Sequence, residues 1–100
     1  MAYYLVRATP TGDLSELREQ LDKEEIIIMQ PFGQTLHHSL SNARRQPDGS
    51  WIWEEEDYCR PSLAMEREAV LDDYFGDITV ETVNRDEGWA RIEDLPSAWE

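Results

Sequence analysis

The first strand is the feature that most constrains the fold. Residues 2–8, AYYLVRA, combine aromatic and β-branched side chains, and only Arg7 interrupts them before the turn signal TPTG at residues 9–12. A strand that is apolar on both faces is covered by protein on both sides. The sequence therefore predicts that residues 2–8 form a strand in the centre of a sheet.

A helix and a short strand are expected next. Asp13 stands before three leucines at helical spacing, and Glu16 follows it by three positions, as in a capping box. We therefore predict a helix over residues 14–23. The aliphatic run IIIM at residues 26–29 is typical of a short buried strand, which the proline and glycine after it would end.

A long β-hairpin is predicted over residues 34–58. The segment QPDG at residues 46–49 has proline and glycine at the positions that a tight loop with a bulge requires. Pairing of Gln46 with Ser50 sets the register of the two arms. Neither face would be cleanly apolar, so we expect part of the hairpin to project from the body or to border a cleft.

The second half of the chain contains a helix and two shorter strands in this interpretation. Residues 60–75 begin with Arg-Pro-Ser and predict a second helix, which the following glycine would end. Alternation around residues 78–81 predicts a strand, and residues 84–88 predict a turn into a last short strand at residues 89–92. The tail, residues 93–100, is expected to fold back onto the body.

This order of elements predicts one α+β domain that spans residues 1–100. Because helices and antiparallel strands alternate, the favoured arrangement is a two-layer, ferredoxin-like antiparallel sheet with two helices on one face and an extra long β-hairpin. The first β-α-β step should make a right-handed crossover, which leaves few other topologies. A chain of 100 residues has room for one core.

The charge balance limits the partners. Asp and Glu number 22 against 9 Lys and Arg, which gives a formal net charge of −13. A field of this sign repels nucleic acid and anionic membrane surfaces and favours basic proteins, so neither nucleic acid nor membrane is an expected partner. The single cysteine, Cys59, rules out a disulfide within the chain, and the lack of a leader-like segment adds to the expectation of a cytoplasmic location.

Arg67 is the clearest anomaly in the second predicted helix. On a helical wheel it lies amid an apolar arc, where an unpaired cation is costly. It is therefore expected to pair with a hairpin carboxylate such as Glu54 or Glu56, or to extend past the rim of the core. The functional alternative is a cleft-facing anchor for a carboxylate or phosphate, which the forked guanidinium suits.

The acidic run EEED at residues 54–57 alternates between the two faces of its predicted strand. Glu54 and Glu56 share one face with His38. Glu55 and Asp57 share the other. A histidine with two carboxylates has the groups needed for proton transfer or for a divalent cation. The spacing matches no metal motif, however, and a charge run is more often a solvated strand, so no metal or cofactor is predicted.

Two tryptophans precede this acidic run. Trp51 and Trp53 share the predicted hairpin face that carries Arg45, Glu55 and Asp57. Because several neighbours on this face are polar, we expect the two rings to be exposed as an interface, with Arg45 stacked near them. The alternative is that both rings belong to the core.

Three functions are compatible with these features. The favoured one is a non-catalytic interaction module whose acidic, Trp-bearing hairpin meets a basic protein or a second copy of the chain. The alternative is a small-molecule binding protein or enzyme in which Arg67 holds an anionic ligand. There, His38 with Glu54 or Glu56 would handle protons or a metal. The third is a nucleic-acid mimic, which ranks last because the acidic residues are spread along the whole chain.

Overall fold

The computed structural model describes residues 2–57 and 62–100. The strands are β1 (Ala2–Pro10), β2 (Arg44–Arg45), β3 (Trp51–Asp57) and β4 (Phe75–Val83), and they form one antiparallel sheet in the order β2-β3-β1-β4. The helices are α1 (Ser15–Asp22), α2 (Gly33–Ser41), α3 (Ala64–Glu66), a π-helix (Arg67–Leu71), α4 (Asp72–Tyr74) and α5 (Glu87–Ile92). Among these described helices, none is long and apolar enough to cross a membrane.

Strand β1 lies between β3 and β4, which confirms the predicted central strand. Its side chains alternate between two faces. Val6 packs with Trp53 in the main core, which α1 and α2 cover, and we call this side of the sheet the inner face. Leu5 packs with Ile52 in a smaller cluster on the opposite side, which we call the outer face. The apolar character of β1 on both sides is thus explained by protein on both sides.

Helix α1 confirms the first predicted helix, which is one residue shorter at each end than expected. Leu17 and Leu21 are buried in the main core. Asp13 accepts a hydrogen bond from the backbone N–H of Ser15 at 2.9 Å, at the start of the helix. Leucine spacing and a carboxylate before the first turn were therefore sufficient to locate this element.

The strand predicted at residues 26–29 is wrong, because this segment forms turns between α1 and α2. The N–H of Met29 donates to the carbonyl oxygen of Ile26 at 3.0 Å. Gly33 packs on the same carbonyl group, and a Cβ atom at position 33 would lie 2.4 Å from its oxygen. Ile26 is buried, whereas Ile28 is 73% exposed. An aliphatic run of four residues is compatible with a turn when only part of it faces the core.

The first arm of the predicted long hairpin is also wrong, because residues Gly33–Ser41 form helix α2. Leu36 and Leu40, one helical turn apart, are both buried in the main core. Helix α2 runs beside β3, where the Ser39 hydroxyl donates to the carbonyl oxygen of Glu54 at 2.7 Å. The helix therefore covers part of the β3 edge that the predicted arm would have paired.

The turn at QPDG is present. The N–H of Gln46 donates to the carbonyl oxygen of Ser50 at 2.8 Å, and Gly49 has a positive φ of 90°. The register is also as predicted over the two residues of β2, with Arg44 opposite Ile52. Local turn chemistry thus set the register of the pair even though the arm is short.

The C-terminal tail folds back onto the body, as expected. The N–H of Arg45 donates to the carbonyl oxygen of Pro96 at 3.0 Å. The indole N–H of Trp99 donates to the carbonyl oxygen of Leu40 at 2.8 Å. The tail therefore lies against β2 and α2 and closes that edge of the sheet.

The second predicted helix is present but interrupted. Its described part consists of α3, the π-helix and α4, which follow one another and which we call the second helical segment. Its predicted start at residues 60–61 lies outside the described residues. Phe75 already belongs to β4, so Gly76 does not end the helix as predicted. The buried apolar side chains of this region are Leu63, Val70 and Leu71.

The last strand, predicted at residues 89–92, is wrong because this segment belongs to helix α5. Ile92 packs with Leu5 and Ile52 on the outer face, while α1 and α2 cover the inner face. Helices therefore lie on both sides of the sheet, in contrast to the single helical layer that was expected. The α+β class is confirmed at this coarser level.

Candidate functional site

A cleft of about 260 Å³ opens on the outer face between α2 and α5. Its floor is formed by β1 and β3, where Tyr3 stands directly opposite Glu56. Three of the predicted ligand-binding residues are brought together here, although His38 comes from a helix and not from a strand. The residues that line the cleft are Tyr3, Gln34, Thr35, His38, Ser39, Glu54, Glu56, Arg85, Asp86 and Trp89.

Glu54 forms a wall of the cleft and holds the start of α5. It is 4% exposed, and its Oε1 atom accepts hydrogen bonds from the N–H groups of Gly88 at 2.7 Å and Trp89 at 3.3 Å. Its Oε2 atom accepts one from the N–H of Asp86 at 2.9 Å. The N–H groups in the first turn of a helix lack partners within the helix, and a carboxylate satisfies them. Glu54 therefore attaches α5 to the sheet.

Tyr3 and Glu56 form a hydrogen-bonded pair beside Arg85 and Asp86. The hydrogen bond between the Tyr3 hydroxyl and Glu56 raises the pKa of Tyr3, and burial and the negative charges of Glu56 and Asp86 act in the same direction. Arg85 lowers the pKa of Tyr3, so its guanidinium is within electrostatic reach of this hydroxyl. At neutral pH the phenol is a donor, and it orients the Glu56 carboxylate.

His38 and Trp89 form an aromatic wall of the cleft. Their ring centroids are 6.0 Å apart and their planes meet at 83°, which is an edge-to-face contact. The side-chain amide of Asn42 donates to the backbone carbonyl oxygen of His38 at 2.8 Å and supports the end of α2. The same two rings line a neighbouring depression together with Arg44 and Glu93. One aromatic pair thus separates two concave surfaces.

The charged lining of the cleft is mainly acidic. Glu54, Glu56 and Asp86 supply three carboxylates, and Arg85 supplies one guanidinium, among the side chains that line the cleft. The rings of Tyr3 and Trp89 belong to the same surface. Carboxylates beside aromatic faces are the groups that recognise ammonium and guanidinium cations.

A metal-binding arrangement is not found in the part of the chain that the structure describes. Over residues 2–57 and 62–100, no group of three or more His, Cys, Asp or Glu side chains is placed to hold a metal ion. His38, Glu54 and Glu56 share the cleft. Glu54, however, already accepts three backbone N–H groups of the α5 region.

Arg67 does not reach the cleft. It is exposed, and its Nε atom forms an ion pair with Asp72 Oδ1 at 3.2 Å. It therefore extends past the rim of the core, which was one of the two structural expectations, and it neither pairs with Glu54 or Glu56 nor faces the cleft. The helical wheel assumed one regular α-helix, whereas the second helical segment changes to a π-helix at Arg67, so the wheel does not give the position of this side chain. Glu66 faces the core in this region instead, with 1% of its surface exposed.

The two tryptophans predicted as an exposed interface are core residues. Trp51 is 5% exposed and Trp53 is fully buried. Trp51 packs edge-to-face on Trp99 with centroids 4.7 Å apart, and Trp53 packs on Phe75 at 5.5 Å. Arg45 is half-buried, and its guanidinium donates to the backbone of the C-terminal residue. The expected surface is missing because helices cover the inner face of β3.

A second group of acids lies on the inner face, where solvent was expected. Glu55 is 1% exposed, Asp57 3% and Glu66 1%. Asp57 Oδ2 accepts a hydrogen bond from the N–H of Leu63 at 2.6 Å, and Glu55 Oε1 accepts one from the indole N–H of Trp53 at 3.0 Å. Within the described residues, the Oε2 atoms of Glu55 and Glu66 have no hydrogen-bond partner.

Two of these buried acids, Glu55 and Glu66, are shifted toward their neutral forms. Burial raises the pKa of Glu55 to about 8, and the charges of Glu66 and Asp57 add to the rise, while the hydrogen bond from Trp53 opposes it. Burial also raises the pKa of Glu66, and the charge of Asp57 contributes. Glu55 is therefore mainly protonated at pH 7. It does not contribute to an acidic docking surface, contrary to the sequence-based expectation.

Part of the cleft was missed because the start of α5 was interpreted as a turn before a strand. The spacing Asn84-x-x-Glu87 is a helix-start signal. In the structure, the N–H of Asn84 donates to Glu87 Oε1 at 2.8 Å. Recognition of this signal would have placed a helix after β4. The cleft residues that sequence reasoning missed include Tyr3, Arg85, Asp86 and Trp89.

No family model, no curated protein and no solved structure matches this chain. The cleft, its charge and the elements around it are therefore the basis for proposing a function.

Proposed function

We propose that this chain is a non-catalytic binding module for basic protein partners, and that the cleft between α2 and α5 receives a lysine or arginine side chain of the partner. The observation that carries the proposal is the lining of the cleft, where the carboxylates of Glu56 and Asp86 share a surface with the rings of Tyr3 and Trp89. The net charge of −13 supports the same class of partner. A basic nucleic-acid-binding protein would be one such partner, and the chain would then act as a nucleic-acid mimic.

A cation that enters the cleft would meet two kinds of attraction. Contact with an aromatic face contributes about 0.5–2 kcal/mol, and a hydrogen bond to a charged group contributes about 1.5–3 kcal/mol. The hydroxyl of Tyr3 already orients Glu56, which lowers the entropy cost of ordering that carboxylate on binding. The acidic surface would also speed the encounter, and this steering weakens as salt rises.

A second candidate function uses the same cleft for a small carboxylate-bearing molecule. It is favoured by Arg85, which lines the cleft together with His38. Arg85 would take the anion-binding role predicted for Arg67, and His38 would stand beside the ligand. A rise in melting temperature with small carboxylates or free amino acids, without one for basic peptides, would favour this function over the first.

The finer fold assignment and the location belong to the same proposal. We propose that the sheet is ferredoxin-like, with a very short β2. Support comes from the strand order β2-β3-β1-β4, the antiparallel pairing and the helical connections after β1 and β3. A cytoplasmic location is proposed from the single cysteine, which is compatible with a reducing compartment.

The test is an NMR titration of the isotope-labelled chain with an acetylated Gly-Lys-Gly-Arg-Gly peptide. We expect shift changes concentrated at Thr35, His38, Asp86 and Trp89. The Glu56→Gln variant keeps an acceptor for Tyr3 but removes the charge, and we expect it to weaken binding about tenfold, which corresponds to about 1.4 kcal/mol.

The control is Glu68→Gln, which removes one exposed carboxylate on the π-helix, outside the cleft. It should weaken binding by less than about twofold, as expected for long-range charge alone. Equal weakening by the two variants, with shift changes spread over the acidic surface, would show diffuse attraction and refute the cleft as the binding site.

A further inference from the structure

The two edges of the sheet differ in how far other parts of the chain cover them. One edge is covered by other parts of the chain. β2 has only two residues, the Ser39 hydroxyl of α2 donates a hydrogen bond to β3, and Arg44 forms a β-bridge with Ser97 of the tail. The other edge is β4, which has nine residues and pairs only with β1 in the part of the chain that the structure describes. An edge strand of this length presents unpaired N–H and C=O groups, which are a template for another strand.

The side chains of β4 also suit strand pairing. The segment ITVETV at residues 78–83 is mostly β-branched. On the inner-face side, Val80 is 42% exposed, which is unusual for an apolar residue of this chain. On the outer-face side, Thr79 stands opposite Arg7, and Glu81, two positions further on, forms an ion pair with Arg91 of α5 at 2.6 Å. This edge therefore combines an exposed apolar residue with flanking charges of both signs.

We propose that β4 pairs antiparallel with β4 of a second copy of the chain, around a twofold axis at Val80. The two four-stranded sheets would then join into one continuous sheet. Val80 of each copy would face Val80 of the other, and Thr79 of each would face Glu81 of the other. Such a contact is self-complementary, as a twofold interface requires.

Repulsion between like charges disfavours the two neighbouring registers, with the axis at Glu81 or at Thr79. An axis at Glu81 would place the two Glu81 carboxylates opposite each other, and an axis at Thr79 would place Asp77 opposite Glu81. Like charges directly opposite destabilise a strand pair. An axis at Val80 avoids both, and it brings Arg7, the neighbour of Thr79 in its own sheet, to the same side as Glu81 of the second copy.

The bend at Asp77 limits the length of the pair. Asp77 has a positive φ of 50°, and the register between β1 and β4 shifts beside it. The regular edge therefore covers residues 78–83, and an axis at Val80 lies near its middle. An axis further toward the start of β4 would cross the bend, where strand pairing is disrupted.

The dimer and the binding of a basic peptide are expected to respond to salt in opposite directions. The strongly negative charge of each copy, formally −13, opposes association at long range. This repulsion is screened over about 10 Å at 0.1 M salt, whereas main-chain pairing and burial of Val80 are affected less. We therefore expect more dimer at high salt, while binding of a basic peptide in the cleft weakens. Either proposal can fail without the other.

The test is sedimentation velocity over a concentration series at low and at high salt. We expect a monomer–dimer equilibrium that shifts toward the dimer as salt rises. Val80→Lys should remove the dimer, because two like charges would meet at the axis. Ile28→Lys makes the same change at a 73% exposed side chain outside the sheet and should leave the dimer unchanged.

The register is tested by two substitutions of Thr79. This residue is exposed, so neither substitution should impair folding. Thr79→Lys would face Glu81 of the second copy and should strengthen association, about threefold to fivefold, whereas Thr79→Glu should weaken it by a similar factor. A chain that stays monomeric at high salt, equal effects of Val80→Lys and Ile28→Lys, or equal effects of the two Thr79 variants would overturn the proposal.

Discussion

Neighbouring acids on β3 meet opposite environments. On the outer face, Glu54 accepts three backbone N–H groups at the start of α5, and Glu56 borders an open cleft. On the inner face, Glu55 and Asp57 are buried among helices. The comparison shows that one residue type, one position apart, either accepts backbone N–H groups at a helix start or remains in a core as a neutral acid, depending on the donors available.

The largest effect in this comparison is expected from raising the pH. The pKa of Glu55 is raised from 4.5 to about 8 in the folded chain, so between these values the folded state holds a proton that the unfolded state releases. The stability that protonated Glu55 contributes to the folded state is fully present below pH 4.5 and is lost as the pH rises through 8. The expected loss is up to about 5 kcal/mol, measured by urea unfolding across this range.

The Glu55→Gln variant identifies the group responsible. It keeps an oxygen for the indole N–H of Trp53 and removes the titration, so we expect higher stability than wild type at high pH and a flatter pH profile. Any pH dependence of the unfolding free energy that remains in this variant is assigned to Glu66, whose pKa is also raised by burial. Glu68→Gln, at an exposed position, should follow wild type. An unchanged profile in Glu55→Gln would contradict its burial as a neutral acid.

A smaller effect is expected from removing the anion on the outer face. Glu54→Ala leaves the N–H groups of Asp86, Gly88 and Trp89 without their acceptor, which should cost about 2–4 kcal/mol of unfolding free energy. Amide exchange should rise first in α5. Glu56→Ala, two residues away on the same face, should cost less than about 1 kcal/mol. Similar losses for the two variants would mean that Glu54 has no special role at α5.

The smallest effect concerns the space between Glu54 and α5. A Cβ atom at position 88 would lie 2.9 Å from Glu54 Oε1 and 3.2 Å from Leu5 Cδ1, so Gly88→Ala should cost about 1–2 kcal/mol in thermal unfolding. Gly12→Ala is the control, because a Cβ atom there has no neighbour within 4 Å. In a Glu54→Ala background the cost of Gly88→Ala should shrink, and an undiminished cost would place the conflict elsewhere.

Sequence patterns predicted elements well where the signal was local. β1 and α1 were found because apolar runs and leucine spacing report which side of an element is buried. The turn at QPDG was found because proline and glycine restrict the backbone at particular positions. α2 and α5 were missed because short segments with mixed polarity fit a helix or a strand almost equally well, and packing against β3 and Leu5 decided between them.

The site was predicted in part. His38, Glu54 and Glu56 do line one cleft. Their predicted grouping depended on the alternation of β3 and on the register of a hairpin arm. The alternation is present, whereas His38 reaches the cleft from helix α2. Arg67 was placed wrongly because a helical wheel assumes a regular α-helix, whereas a π-helix begins at this residue.

The sequence by itself determined a central first strand, a first helix, one tight turn and a strongly acidic surface, because spacing, backbone restriction and charge are properties of neighbouring residues. Only the tertiary structure decided which acids of β3 are buried, which helix Glu54 supports and which edge strand has no further strand beside it among the described residues. Burial, helix support and edge exposure depend on hydrogen-bond donors and apolar surfaces supplied by residues far away in the chain. An ionised carboxylate is stable in a protein interior only where the fold brings hydrogen-bond donors to it.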